Sequence, residues 1–111
     1  MSRAQEQRFA DIQAAIERCR RYRPFLDSPE MGAMAYDAVL RNLAVIGEAV
    51  KSLADDFKAS HDEIPWASIA GLRNVVVHEY FRVNPDLIVD ILDNHLPLLE
   101  VAMATRSGPT G

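Results

Sequence analysis

Apolar residues recur every three or four positions along almost the whole chain, the spacing that lines one face of a helix. Between Gln5 and Tyr22 the stripe is Phe9, Ile12, Ile16 and Cys19. Arg23-Pro24 ends this helix, because the ring of Pro24 disfavours helical geometry at the residue before it. A linker follows through Asp27-Ser28-Pro29-Glu30. The second helix is predicted to be the longest, from about Glu30 to Ser60. Tyr36, Val39, Leu43, Ile46, Val50, Leu53 and Phe57 keep alternating three- and four-residue steps, like the seam of a helical bundle. Leu40, Ala44 and Gly47 lie beside that seam and widen the apolar face. A glycine inside a helix costs about 1 kcal/mol relative to alanine, so close approach of a neighbouring helix is expected at Gly47.

The pattern breaks between Ser60 and Trp66, and Pro65 suits the first turn of a third helix, expected to run from about Pro65 to Glu79. Asn84-Pro85-Asp86 repeats a helix start: a capping side chain, a proline at the first position and an acid near the positive helix end. The fourth helix then carries Leu87, Ile88, Ile91, Leu92, His95, Leu98, Leu99 and Ala102, with Pro97 expected to bend it or to split off a fifth short helix. Thr105 to Gly111 reads as a flexible tail. Val75-Val76-Val77 is the one segment with strand character, and it has no partner strand. The fold expected is all-α, an antiparallel bundle of four main helices. Residues 1–104 form a single domain and 105–111 the tail.

Composition narrows the setting. A chain of 111 residues, 49% hydrophobic and 25% charged, has room for one compact domain. No apolar run approaches the roughly 18 residues of a membrane span, and the first residues lack the apolar core of a secretory signal. The single cysteine, Cys19, cannot close an intrachain disulfide or build a thiolate metal site. The cytoplasm is the expected compartment. A net charge of -4 argues against a generic nucleic-acid coating protein. Residues 1–23 carry +3 and the remainder -7; the basic Arg18-Arg20-Arg21-Arg23 cluster reads first as a solvated helix face, and otherwise as a group that steers RNA or meets an acidic partner.

The segment most suited to chemistry is Gly71-Leu72-Arg73-Asn74-Val75-Val76-Val77-His78-Glu79-Tyr80-Phe81. On a helix, Arg73, Val77 and Tyr80 share one face, and Asn74 stands four residues before His78, where its amide can fix the imidazole tautomer. Arg73 and His78 are roughly 140° apart at 100° per residue, too far for a direct stacked pair. A long guanidinium arm, a loosened helix end or a second chain would be needed to bring them to one substrate. A histidine moves protons near neutral pH. An arginine binds phosphate oxygens and offsets charge that develops in a transition state. Together they suffice for RNA cleavage without a metal: His78 draws a proton from a ribose 2′-OH, which attacks the adjacent phosphate. An Arg and a His five apart also arise by chance, but adding Asn74 and Tyr80 makes the pattern specific.

Arg73-x4-His78-x-Tyr80 resembles the Arg-x4-His-x-Tyr motif of the HepT-like toxins, a branch of the HEPN ribonuclease superfamily. Arg41-Asn42-Leu43-Ala44-Val45-Ile46-Gly47-Glu48-Ala49 is similar to the second helix of that family. Ile64-Pro65-Trp66 with Ile69-Ala70-Gly71-Leu72-Arg73-Asn74 is similar to its third. The likeness covers roughly residues 8 to 103. It implies an all-α bundle that forms homodimers, with two motif copies lining a cleft between subunits. It further implies an RNA-cleaving toxin of a two-gene module, with Arg73 and His78 as the catalytic pair and Asn74 in support. The implied partner is a minimal nucleotidyltransferase antitoxin, which transfers AMP from ATP to Tyr80. Phosphates placed there, beside Arg73, would occupy the substrate site. Glu48 falls in the matched second-helix segment, either facing the cleft or pairing on the surface.

The remaining candidates read structurally. His61-Asp62 is a dipeptide of metal phosphohydrolases but lacks further ligands, and no Glu-x-x-His step of a di-iron bundle occurs. His95 lies on the apolar stripe of the last helix, Trp66 anchors the third helix, and Cys19 is a small buried hydrophobe. No cofactor, metal or membrane is called for. A second function class stays open: a non-catalytic helical dimer that binds a nucleotide or the nucleotidyltransferase partner without turnover.

Overall fold

The computed structural model describes residues 3–106 and shows no strand among them. The helical stripes of the sequence meet at the centre. Helix α1 (Arg3–Tyr22) buries Phe9, Ile12, Ala15, Ile16 and Cys19, and a tight 3-10 turn over Arg23–Asp27, with Pro24 at its start, ends it. Helix α2 (Gly32–Lys51) buries Val39, Leu43, Ile46 and Val50 on the seam and Leu40 and Gly47 beside it. Then come α3 (Asp55–Ala59), α4 (Trp66–Ala70) and α5 (Leu72–His78). A 3-10 turn at Tyr80–Arg82 leads to α6 (Pro85–Asp90), a π-turn at Ile91–His95 and α7 (Leu96–Arg106).

The antiparallel pairing of α1 with α2 organises the bundle, and α4 and α5 pack on α2. Gln5, at the start of α1, touches the end of α2, which sets those helices antiparallel. Arg20, near the far end of α1, reaches Glu100 in α7, and Arg23, in the turn that follows, reaches Asp93 in the π-turn. The corner between α4 and α5 rests on α2 at Gly47. A β-carbon there would stand 2.8 Å from the Ile69 carbonyl oxygen and 3.0 Å from the Arg73 amide nitrogen. The close approach expected at this glycine is present.

The second helix is shorter than its periodicity predicts. The seam residues Leu53 and Phe57 stay in or against the core, but the backbone turns at Ser52–Ala54. Gln5 Nε2 donates to the Ser52 carbonyl at 2.9 Å, and the Ala54 N–H donates to Gln5 Oε1 at 3.0 Å. A side chain from another helix thus satisfies backbone groups that a continuous helix would have paired internally. The third helix is likewise divided, with a short break at Gly71 between α4 and α5. Trp66 anchors it as expected: its ring packs on the core, and its indole N–H lies 2.9 Å from the carbonyls of both Lys58 and His61. The valine run 75–77 is helical.

The Asn84 cap forms as predicted, its Oδ1 accepting from the Asp86 N–H at 2.8 Å. Asn84→Ala is expected to cost about 1 kcal/mol, read as a lower urea midpoint. The disturbance expected around Pro97 lies just ahead of it: the π-turn inserts one extra residue, and α7 starts at Leu96. The buried face consequently steps from Ile91 to Leu96, Leu99 and Met103, leaving His95 half-buried at its edge and Leu98 exposed. Thr105 and Arg106, assigned to the tail, belong to α7. The rest of that tail lies outside the described residues.

Candidate functional site

The local sequence explains how α5 presents its polar face. Leu72 is the buried residue of this short helix, while Arg73, Asn74, Val77 and His78 are exposed. After His78 the chain leaves helical geometry at Glu79, whose φ of -130° and ψ of 28° send the Tyr80–Arg82 turn back across α2. Arg73, Val77 and Tyr80 share one open groove, as their spacing predicts, although Tyr80 lies beyond the end of α5. The groove has a volume of about 440 Å³ and runs between α2 and α5, with Asp37, Arg41, Val45 and Glu48 on the α2 wall.

Arg73 Nε lies 3.8 Å from Glu48 Oε2, and Arg73 Nη1 donates to Asn74 Oδ1 at 3.5 Å. Glu48 therefore faces the groove. Asn74 bonds Arg73, and no Asn74–His78 hydrogen bond of the kind its spacing suggested is formed. His78 lines a separate shallow pocket with Asn74, Val75 and Glu79. The wide angle between Arg73 and His78 is thus a feature of the folded chain, which opens the two groups onto different surfaces.

Tyr80 donates its phenolic O–H to Asp37 Oδ1 across the groove. Its ring stands edge-on to Phe81 at 5.1 Å, and Phe81 itself is 97% exposed. The hydrogen bond to Asp37, then burial and the charge of the same carboxylate, raise the Tyr80 pKa above the ordinary 10.0. Ionisation would place a phenolate against a carboxylate, so the bond holds below the ordinary value and is lost as pH climbs through the raised one. The Tyr80 phenolate, isolated by difference from Tyr80→Phe, is expected to appear at lower pH in Asp37→Ala than in wild type. Equal absorbance titrations would exclude the contact.

Sequence reasoning missed Asp37 and Arg41. Their signal was present: 37, 41, 44, 45 and 48 fall at helical steps on one face of α2, beside the seam. The other sequence candidates lie elsewhere. His61 packs its ring 4.8 Å from Phe57, with Nδ1 3.6 Å from Glu63. His95 Nε2 is 4.0 Å from Asp90. Cys19 is buried, which pushes its thiol up to about 12. Three arginines of the basic cluster meet acids: Arg20 with Glu17 and Glu100, Arg21 with Glu17, and Arg23 with Asp93 through two bonds of 3.1 Å. Among the described residues no three His, Cys, Asp or Glu side chains gather as a metal site, and no helix is long and apolar enough to cross a membrane.

A family model described as Ribonuclease HepT-like matches residues 12–105. A candidate RNase of Caldanaerobacter subterraneus subsp. tengcongensis is 44% identical over 63 residues, 57% of this chain and 56% of that protein. A candidate RNase of Methanocaldococcus jannaschii is 47% identical over 60 residues, 54% of this chain and 50% of its own length. The protein named Probable ribonuclease HepT of Thermococcus cleftensis is 40% identical over 63 residues, 57% of each chain. The chain spans about half the length of these curated relatives. No solved structure matches it significantly.

Proposed function

This chain belongs to the HepT-like ribonuclease family, and on that premise we propose that it is a metal-independent endoribonuclease, the toxin of a two-gene module. The observation that carries the reading is the exposure of Arg73 and His78 on one short helix, with Arg73 beside Asn74 and Glu48. His78 takes the proton of a ribose 2′-OH. The freed oxygen attacks the adjacent phosphorus, the bond to the 5′ oxygen breaks, and that oxygen leaves with a proton taken from water. Arg73 holds the non-bridging oxygens, where negative charge grows in the transition state. Asn74 steadies the guanidinium.

Because one protomer turns Arg73 and His78 onto different surfaces, the working site is formed across a homodimer, each chain supplying part of it. Silencing follows from transfer of AMP to Tyr80 by a partner nucleotidyltransferase: the phenolic oxygen attacks the α-phosphorus of ATP and pyrophosphate leaves. The exposure of Tyr80, which lines the groove, supports this reading.

The test is digestion of RNA by unmodified protein in the presence of a chelator. Products ending in a 2′,3′-cyclic phosphate and a 5′-hydroxyl are expected. Binding without cleavage would favour the non-catalytic dimer, and cleavage abolished by the chelator would reject the metal-free route. An AMP-sized mass increment, absent in Tyr80→Phe, identifies the modified side chain.

A further inference from the structure

Arg41 stands on the α2 wall of the groove that also holds Arg73, exposed to solvent. Among the described residues its guanidinium has no hydrogen bond or ion pair. That sets it apart from Arg73, the other arginine lining this groove, which meets Glu48. The carboxylates nearest it along α2 are engaged at either end. Asp37, one turn before Arg41, accepts the Tyr80 hydroxyl, and Glu48, two turns after it, faces Arg73. A guanidinium left open between two occupied carboxylates is available to a ligand that brings its own negative charge.

The α2 register also sets the order of groups along the groove. The Arg73 guanidinium lies at Glu48, and seven residues at 1.5 Å each put Arg41 about 10 Å from that level. The Tyr80 hydroxyl lies at Asp37, about 6 Å from Arg41 on the other side by the same rise. Arg41 and Arg73 are therefore spaced to take different phosphates of one strand, with Tyr80 at the Arg41 end. We propose that Arg41 is a second phosphate contact for single-stranded RNA, and that the strand runs along α2 from Arg73 toward Tyr80. This rests on the nuclease reading above and adds to it a binding residue and a direction. It also relocates the block by a modified Tyr80: a phosphate on that oxygen meets Arg41 before it meets Arg73.

The experiment measures binding of a fluorescent, mixed-sequence 2′-O-methyl RNA, which lacks the attacking hydroxyl, to the full-length protein over a range of salt. For single strands the log–log salt slope is about -0.7 per phosphate neutralised. Arg41→Gln is expected to weaken binding and to flatten the slope by about 0.7, with unchanged helicity and melting. Arg41→Lys should return most of the slope, since a point charge suffices for counterion release. Arg73→Gln should flatten it independently, by a similar amount. A slope for Arg41→Gln equal to wild type, with Arg73→Gln flattened, overturns this inference and leaves the nuclease reading standing. No RNA binding by wild-type protein would remove both.

Discussion

His78→Ala is expected to lower RNA cleavage by about 10²–10⁴-fold, the usual contribution of a positioned acid or base. Arg73→Ala should fall comparably, through loss of charge stabilisation. The informative result comes from mixing the two inactive variants. In a homodimer whose sites each take Arg73 from one chain and His78 from the other, a mixed dimer contains one complete site and one doubly deficient site. Random exchange makes half the dimers mixed, so about a quarter of wild-type activity should return. If both groups served one substrate from the same chain, mixing would return nothing. The geometry favours the first outcome, because Arg73 lines the α2–α5 groove and His78 the pocket beyond Asn74. Subunit exchange has to be verified by mass-tagged chains, so that silence cannot be blamed on dimers that never mixed. His78→Ala protein should retain its helicity, because the imidazole is exposed and makes no hydrogen bond within the described residues.

The parts of this molecule that obey one helical period are legible in its sequence. The α1 stripe, the α2 seam and the Asn84 cap depend on neighbours within a few residues, and they fold as the spacing requires. The groove-facing positions of Arg73, Val77 and Tyr80 belong to the same class. What escaped was set by distant partners. The turn at Ser52–Ala54 is held by Gln5, nearly fifty residues earlier, and no local pattern in α2 announces it. The π-turn ahead of Pro97 shifts the buried face by one residue. A constant step puts His95 on the apolar stripe, as a core or interface residue, and misses Leu96 and Met103. Asn74 was assigned to His78 on spacing alone, yet the flexible guanidinium beside it was the nearer partner. Glu48 and Asp37 show both sides of the limit. Periodicity places each on an exposed face of α2, but only the fold tells which side chain crosses the groove to meet it.

Gly47→Ala should destabilise the protein and misplace the site together. In an isolated helix the change would stabilise by about 1 kcal/mol, since glycine is the poorer helix former. Here the new carbon would stand 2.8 Å from the Ile69 oxygen, 3.0 Å from the Arg73 nitrogen and 3.3 Å from the Ala70 oxygen. All three are backbone atoms, so no rotamer change relieves the contact, and the corner between α4 and α5 has to move away from α2. Such overpacking costs about 1–3 kcal/mol, which exceeds the propensity gain over most of that range. The displaced corner carries the Arg73 amide itself, so the guanidinium shifts against Glu48 and the groove. A misplacement of about 1 Å at a reacting group can cost 10²-fold in rate. The expected signature is a lower unfolding midpoint, cleavage down by about that factor and RNA affinity much less affected. A Gly47→Ala protein more stable than wild type and fully active would mean that α2 and the α4–α5 corner do not touch at this residue. The wall that Arg73 shares with Arg41 would then need a different geometry.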